Sequence, residues 1–265
     1  KDILIYEMSP EDIQQKIEQY LPVRVEEKDK YGEVFTPIEL IEEMLDKLPK
    51  EVWVNPKLKW LDPANGIGNF PMVAYKHLME GLEEWEPDRK KRSNHIIKNM
   101  LYMVELNPKN VGVSRKIFGK DANIVCGSFL EDRWQEVFPK HVDIIMGNPP
   151  YNKDGVGKGG GVFWTVFVNK SLELLNTNGY LTSIHPLGWR KPFKEGNRNN
   201  NAGKIFYDFK RLGHLHYICI SDEKIPNFPK VDYYVFQKKI KPNPITHVVN
   251  KYKSIENIVI LMFQI

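Results

Sequence analysis

The feature that most constrains the fold is an apolar run, residues 142–146, that leads through Gly147 into Asn148-Pro149-Pro150-Tyr151. A short apolar run that ends in glycine is typical of a buried strand in a parallel sheet. The two prolines fix φ and remove two backbone donors, so nearby carbonyls can face a ligand. In open α/β sheets, ligands bind at the carboxyl ends of the strands. The Asn148 amide oxygen and the Tyr151 ring therefore predict a clamp for a flat ring that carries an amino group.

A second segment has the strand, glycine turn and helix order of nucleotide-binding α/β proteins. Residues 58–62 predict a strand, and the turn that follows contains Gly66 and Gly68 without the third glycine of the dinucleotide fingerprint. A nicotinamide dinucleotide is therefore disfavoured. The next predicted strand, residues 101–105, ends in Glu105, an acid suited to binding ribose hydroxyls. Further strands are predicted at residues 122–126, 180–184, 214–221 and 231–237, so the fold class is α/β.

Composition limits the class of protein further. The chain has 265 residues, enough for one sizeable core, and no apolar run reaches the ~20 residues that span a bilayer. Its net charge of +4, from 38 basic and 34 acidic residues, permits a polyanionic partner. Cys126 and Cys219 lack metal-ligand spacing, so we expect buried thiols in a reducing compartment, with no metal site.

Three motifs resemble those of a known family. Asn-Pro-Pro-Tyr after an apolar strand resembles the catalytic motif of the S-adenosylmethionine-dependent amino-methyltransferases, above all the DNA adenine-N6 methyltransferases. Gly-x-x-Phe-Thr-Pro at residues 32–37 and Asp-Pro-x-x-Gly-x-Gly-x-Phe at residues 62–70 resemble the cofactor motifs of that family. Their order is similar to that of the gamma-type enzymes, with the closest likeness to adenine methylases of restriction-modification systems and large DNA viruses.

The resemblance implies a Rossmann-like class I methyltransferase fold. It has a seven-stranded, mostly parallel sheet with an antiparallel last strand, and helices on both faces. The implied reaction is direct transfer of the methyl group of S-adenosylmethionine to N6 of a flipped-out adenine in DNA, which leaves S-adenosylhomocysteine. The implied catalytic residues are Asn148, Pro149, Pro150 and Tyr151. Tyr151 and Phe228, which precedes Pro229, are expected to stack on the target base.

The resemblance also implies a set of cofactor-binding residues. Asp62 would bind the methionine ammonium and Glu105 the ribose, while Ser128 stands where the family usually has an aspartate. Thr36 is expected to cap the helix that follows, with Pro37 in its first position. The complete set is Tyr31, Phe35, Thr36, Pro37, Asp62, Pro63, Ala64, Gly66, Gly68, Phe70, Glu105, Leu106, Ser128, Phe129, Asn148 and Pro150.

The positions of the motifs predict the domain organisation. Residues 1–30 form a helical arm, residues 31–240 the catalytic domain, and residues 241–265 an extension or the start of a DNA-recognition region. Fewer than a hundred residues separate the glycine loop from the catalytic motif, so recognition is expected from a separate domain or chain. The expected partner is DNA, with no membrane association. The expected location is the bacterial cytoplasm or, for a viral member, the host cell or viral factory.

Other functions remain open at this point. A protein-glutamine methyltransferase also uses Asn-Pro-Pro-Tyr, but the Phe-Thr-Pro motif and Phe228-Pro229 argue against it. An RNA amino-methyltransferase and a non-catalytic subunit that binds cofactor or DNA are further alternatives. His185 ends a predicted strand beside Pro186 and is expected to be structural. The glycine-dense segment of residues 152–161 predicts a mobile loop that orders over nucleic acid.

Overall fold

The computed structural model describes residues 5–9, 35–153, 162–190, 201–221, 230–239, 245–250 and 255–261, with four helical positions between residues 12 and 19. The longer helices are α1 (Ile38–Leu45), α2 (Asn69–Gly81), α3 (Arg89–His95), α4 (Pro108–Phe118), α5 (Trp164–Leu174) and α6 (Asn201–Leu212). A π-helical turn, Ile96–Met100, and short 3-10 turns at Ile5–Glu7, Lys50–Val52 and Asp132–Glu136 complete the helical elements of these ranges. None of the described helices is long and apolar enough to cross a bilayer.

The strands of the described residues form one sheet in the order β3-β2-β1-β4-β5-β7-β6-β8-β9. They are β1 (Trp60–Asp62), β2 (Leu101–Glu105), β3 (Asn123–Cys126), β4 (Val142–Gly147), β5 (Leu175–Pro186), β6 (Gly213–Ser221), β7 (Val231–Lys238), β8 (Ile245–Asn250) and β9 (Ile255–Leu261). The first five strands pair in parallel, and β7 lies antiparallel between β5 and β6. The predicted α/β class and antiparallel seventh strand are confirmed.

The predicted strand count of seven is too low. β8 pairs in parallel with β6, and β9 pairs antiparallel with β8, so the sheet continues for two strands beyond the predicted seven. The buried Thr246 hydroxyl donates to the Leu215 carbonyl over 2.7 Å and joins β8 to β6. Without β8, the outer edge of β6 would keep its backbone donors and acceptors open, and such edges are rarely left bare.

Local sequence explains how the elements near the ligand-binding edge begin. Asn107 caps α4, since its side-chain oxygen accepts from the Lys109 amide over 3.0 Å, and Pro108 occupies the first turn. β2 is buried along its whole length, as expected for a central parallel strand. Helix α1 buries Ile41, Met44 and Leu45 at helical spacing.

The topology places ligand-binding positions at one edge of the sheet. From β1 the chain proceeds to β2 and β3 on one side, whereas β4 and β5 lie on the other side. Because parallel crossovers are right-handed, α2 and α4 cover one face and α5 the opposite face. The point where the strand order reverses, between β1 and β4, is where open α/β sheets bind ligands. The segments after β1, β2, β3 and β4 all meet at this edge.

Candidate active site

A cleft opens at the carboxyl ends of β1 to β4, between the glycine turn and the start of α5. The predicted site residues that line it are Phe35, Thr36, Pro63, Ala64, Gly66, Phe70, Glu105, Leu106, Ser128, Phe129, Asn148, Pro149 and Pro150. Pro37, Asp62, Gly68 and Tyr151 do not line it. Tyr31 and Phe228 lie outside the described residues, as do the glycine-dense loop from residue 155 and the Phe-Pro element.

Both carboxylate oxygens of Glu105 accept from backbone amides, one in the glycine turn and one in the segment after β2. Its Oε2 accepts from the Gly66 amide over 2.6 Å, and its Oε1 accepts from the Asn107 amide over 2.8 Å. Gly66 has a φ of +58°, a left-handed conformation that glycine adopts at little cost. The Glu105 carboxylate therefore has a fixed orientation in the cleft wall, and carboxylate oxygens are acceptors suited to sugar hydroxyls.

Gly68 does not line the cleft; it lets α4 pack closely against the start of α2. Its φ is +102°, and a Cβ at this position would lie 3.0 Å from Cε2 of Phe118 in α4. A side chain here would push α4 away from the start of α2.

Asp62 lies beneath the glycine turn, fully buried. Its Oδ1 accepts from the Ala64 amide over 3.0 Å, while Oδ2 has no partner among the described residues. Burial raises the pKa of this carboxyl to about 8; the Ala64 hydrogen bond opposes the shift, and the charge of Glu105 adds to it. At neutral pH the carboxyl is therefore largely protonated.

Thr36 connects the amino-terminal motif to the Asn-Pro-Pro-Tyr motif. Its Oγ1 lies 3.1 Å from the donor Asn148 Nδ2, and its carbonyl accepts from Asn69 Nδ2 over 3.2 Å. The expectation that Thr36 caps α1 is wrong: Pro37 is the N-cap, with φ −57° and ψ 143°, and no side chain caps this helix. The Thr36 hydroxyl instead contacts Asn148, which lies 112 positions later in the chain.

Tyr151 points into the protein rather than into the cleft. Its side chain is buried at 8% exposure, and the Phe163 amide donates to its carbonyl over 3.0 Å. Burial raises the pKa of the phenol well above its ordinary value, and the Asn148 side chain opposes this shift in part. Its stacking on a target base stays a prediction.

Aromatic side chains form one wall of the cleft. The buried Phe129 ring stacks between Trp134, at 5.3 Å, and Phe167, at 5.4 Å between ring centroids. The Ser128 hydroxyl oxygen accepts from the Leu130 amide over 3.2 Å. Phe163 and Phe167 of the α5 segment close this wall, and Leu106 presents a half-exposed apolar side chain at 55% exposure. Such a slot suits a flat aromatic ring.

Several residues that line the cleft were not predicted from the sequence. They are Asn65, Ile67, Asn69, Gly127, Asn152, Lys153, Phe163 and Phe167. Asn65, Ile67 and Asn69 occupy the variable positions of the glycine motif, so the motif gave no reason to select them. Phe163 and Phe167 are four positions apart, a helical spacing that indicates a shared face but not a ligand.

His185 lies in the core, in agreement with a structural role. It is fully buried and stacks on Trp164 with 3.9 Å between ring centroids, and its Nε2 lies 3.0 Å from the Tyr234 hydroxyl. Burial lowers the pKa of this imidazole to about 3, so it stays neutral.

The strand order with an antiparallel seventh strand is that of the class I S-adenosylmethionine-dependent methyltransferases. A putative class I enzyme of this kind from Listeria monocytogenes superposes with a TM-score of 0.61 over 94% of this chain and 75% of that chain, at 14% identity. A modification subunit of a putative type I restriction enzyme from Vibrio vulnificus superposes with a TM-score of 0.66 over 94% of this chain, at 17% identity.

The family follows from the sequence match. Residues 12–160, more than half of the chain, match the family model described as N-6 DNA Methylase, and the chain belongs to this family. An uncharacterized adenine-specific methylase of Mycoplasma pneumoniae is 43% identical over 77 residues, which are 28% of this chain. The chain spans 18% of that relative and 54% of the Vibrio subunit.

Proposed function

We propose that this chain is the catalytic part of a DNA adenine methyltransferase that transfers the methyl group of S-adenosylmethionine to N6 of an adenine. The observation that carries the proposal is the Asn148 carboxamide, which lies against Thr36 at the end of β4, in a cleft that also contains Glu105. Membership of the N-6 DNA methylase family supports the same reaction. The similarity to the adenine-specific methylase of Mycoplasma also supports it.

The cleft fits S-adenosylmethionine in three places. The Glu105 carboxylate can bind the ribose hydroxyls of the cofactor. The space between Leu106 and Phe129 can hold the adenine ring of the cofactor. The buried side-chain oxygen of Asn69, which lacks a partner among the described residues, suits the cationic methionine end. When bound, this cofactor supplies an electrophilic methyl group on a positively charged sulfur.

The residues of the catalytic motif act on the target base by position and polarity. The lone pair of the adenine amino nitrogen is delocalised into the ring, so this nitrogen is a poor nucleophile. The Asn148 side-chain oxygen and the Pro149 carbonyl accept its two hydrogens and favour a pyramidal nitrogen whose lone pair faces the methyl group. Both acceptors stabilise the positive charge that develops on nitrogen, which then loses one proton to solvent.

The base must leave the helix to reach this position. Stacking on aromatic side chains is worth ~1–3 kcal/mol per base, which offsets much of the cost of unpairing. Tyr151 and Phe228 are assigned to this stacking, and for Tyr151 the ring has to turn out of its buried position. Recognition of the DNA sequence is assigned to a separate domain or chain, outside the catalytic domain of residues 31–240.

Transfer of labelled methyl groups from S-adenosylmethionine tests the proposal. Duplex DNA, single-stranded DNA, RNA and a protein extract are offered in parallel, and we expect N6-methyladenine in DNA. Label in protein glutamine or in RNA would overturn the DNA assignment. If the chain binds cofactor but labels nothing even after a recognition subunit is added, a non-catalytic role replaces the proposed activity.

A further inference from the structure

Asn69, the first residue of α2, has a buried side chain whose two polar ends differ. The residue is 7% exposed and lines the cleft. Its Nδ2 donates to the Thr36 carbonyl over 3.2 Å, whereas its Oδ1 is buried without a hydrogen-bond partner among the described residues. A buried acceptor without a partner costs about 1–3 kcal/mol, so such an atom calls for a ligand.

The contact with Thr36 fixes which end of the carboxamide is available. A carbonyl oxygen only accepts, so rotating the carboxamide by 180° would set two oxygens against each other. The Asn69 nitrogen is therefore held at the Thr36 carbonyl, and the Oδ1 atom is left as an acceptor for a ligand. An acceptor selects an ammonium group and disfavours a carboxylate.

The surroundings of Asn69 place this acceptor near the reacting end of the cleft. Thr36, which receives the Asn69 amide, also lies 3.1 Å from the Asn148 amide through its hydroxyl. Asp62, the acid expected to bind the ammonium, lies beneath the glycine turn and does not line the cleft. The Asn65 oxygen also lacks a partner among the described residues. Asn65 differs in what holds its amide: Nδ2 donates to Ser114 of α4 over 2.8 Å and to the Gly66 carbonyl over 3.1 Å, whereas Asn69 donates to Thr36.

We propose that the Asn69 side-chain oxygen accepts a hydrogen bond from the α-ammonium of S-adenosylmethionine and thereby orients the methionine end of the cofactor. This inference rests on the proposed function and adds a cofactor-binding residue to it. In this arrangement Asn69 contacts the ammonium, and Asn148 contacts the target amino group. Thr36 is hydrogen-bonded to both asparagines and joins them.

Calorimetric binding of two ligands tests the inference without a turnover assay. The ligands are S-adenosylhomocysteine and its desamino analogue, which keeps the carboxylate and lacks the amino group. For the wild-type protein we expect removal of the amino group to weaken binding about 10- to 100-fold, the range for a hydrogen bond to a charged group. If the wild-type protein binds both ligands equally, no ammonium acceptor exists and the inference is overturned without any variant.

Variants then show which residue causes the dependence of affinity on the amino group. Asn69→Ala, and Asn69→Leu as a variant of similar volume, should bind S-adenosylhomocysteine about tenfold or more weakly, with the desamino analogue nearly unaffected. Asn65→Ala is the matched control from the same turn, and we expect it to change both affinities by the same factor. Equal losses for both ligands at Asn69, no loss, or an amino-group-dependent loss at Asn65 alone would refute the assignment. If the wild-type protein binds neither ligand, the proposed function itself fails.

Discussion

At the residue scale, the Asn148 carboxamide depends on a contact made far away in the chain. Thr36, 112 positions earlier, accepts from the amide nitrogen and so holds the carboxamide in place in the absence of a ligand. A group held in advance costs no reorganisation at the moment of reaction, and removing one such group typically lowers turnover about 10²- to 10³-fold.

We therefore expect Asn148→Ala to lose methyl transfer by at least about 100-fold while S-adenosylhomocysteine still binds. Turnover of labelled methyl groups and calorimetric affinity measure the two effects separately. Asn94→Ala, an exposed asparagine on α3, is the matched control and should behave like the wild-type protein. An Asn148→Ala protein with near-normal turnover would remove this residue from the mechanism.

Asp62 gives the second prediction at the residue scale, a dependence of stability on pH. Its pKa is about 8 in the folded protein, against an ordinary value of 3.8. The folded state therefore retains a proton that the unfolded chain releases, so the free energy of unfolding falls as pH rises from about 4 to about 8. Asp62→Asn keeps an acceptor for the Ala64 amide, cannot ionise, and should abolish this part of the slope.

Denaturant unfolding of the two proteins at pH 5, 7 and 9 measures the difference. The advantage of Asp62→Asn over the wild-type protein should grow with pH and level off above about pH 8. Asp121→Asn, at an exposed carboxylate paired with Lys98, is the control and should retain the slope of the wild-type protein. A slope that persists in Asp62→Asn would locate the titrating group elsewhere.

At the element scale, the close approach of β4 to β1 requires a glycine at the end of β4. A Cβ on Gly147 would lie 2.9 Å from Oδ1 of Asp62, so any side chain there would displace that carboxyl or the Asn-Pro-Pro-Tyr segment. We expect Gly147→Ala to lower the free energy of unfolding by about 1–3 kcal/mol and to reduce methyl transfer.

Gly112 in α4 is the matched control, because a Cβ there meets no atom within 4 Å. Gly112→Ala should raise the free energy of unfolding by about 0.5–1 kcal/mol, since alanine favours the helix. Thermal and denaturant unfolding of the two variants should thus shift in opposite directions. Equal stability of Gly147→Ala and the wild-type protein would show that this end of β4 is less constrained than the geometry indicates.

A buried charge network joins the segment after β5 to β7. The Asp232 carboxylate is fully buried and accepts from Arg190 Nε over 2.6 Å and from the Trp189 indole over 3.0 Å. Asp232→Asn leaves the guanidinium without its charged partner, at a cost of about 1.5–3 kcal/mol. Asp208→Asn, which breaks an exposed pair with Arg211, should cost less than about 1 kcal/mol. Similar unfolding midpoints for the two variants would contradict the network's role.

The sequence predicted the helices and strands of the cleft better than it predicted the contacts between them. Apolar runs ending in Asp62, Glu105 and Gly147 predicted the strands of the cleft, because burial on both faces leaves a continuous apolar pattern. The Thr36–Asn148 contact joins two motifs that are far apart in the chain, and a propensity for helix capping suggested the wrong partner for Thr36. Asn69 belongs to a variable motif position, so only its burial in the fold identifies it.

At the scale of the whole molecule, the sheet divides into a cleft-bearing half and an outer half. Strands β1 to β4 carry the segments that line the cleft, together with residues before α1 and in α5. Strands β6, β8 and β9 lie at the opposite end of the strand order, where β8 covers the edge of β6 along residues 217–220. The proposed cofactor cleft and the covered sheet edge therefore lie in different parts of the molecule.

Deletion of residues 241–265 should consequently lower the solubility of the protein and leave its affinity for the cofactor product unchanged. The deletion opens the β6 edge, and an exposed edge strand pairs readily with other chains, so we expect aggregation to increase with protein concentration. S-adenosylhomocysteine affinity of the remaining monomer should stay close to that of the full chain, because the described cleft residues all precede residue 168. Light scattering and calorimetry measure the two properties, with full-length Thr246→Val as the control that loses one cross-strand hydrogen bond but keeps β8. A soluble deletion variant that no longer binds the ligand would reverse this division, because it would make the last strands part of the cofactor site.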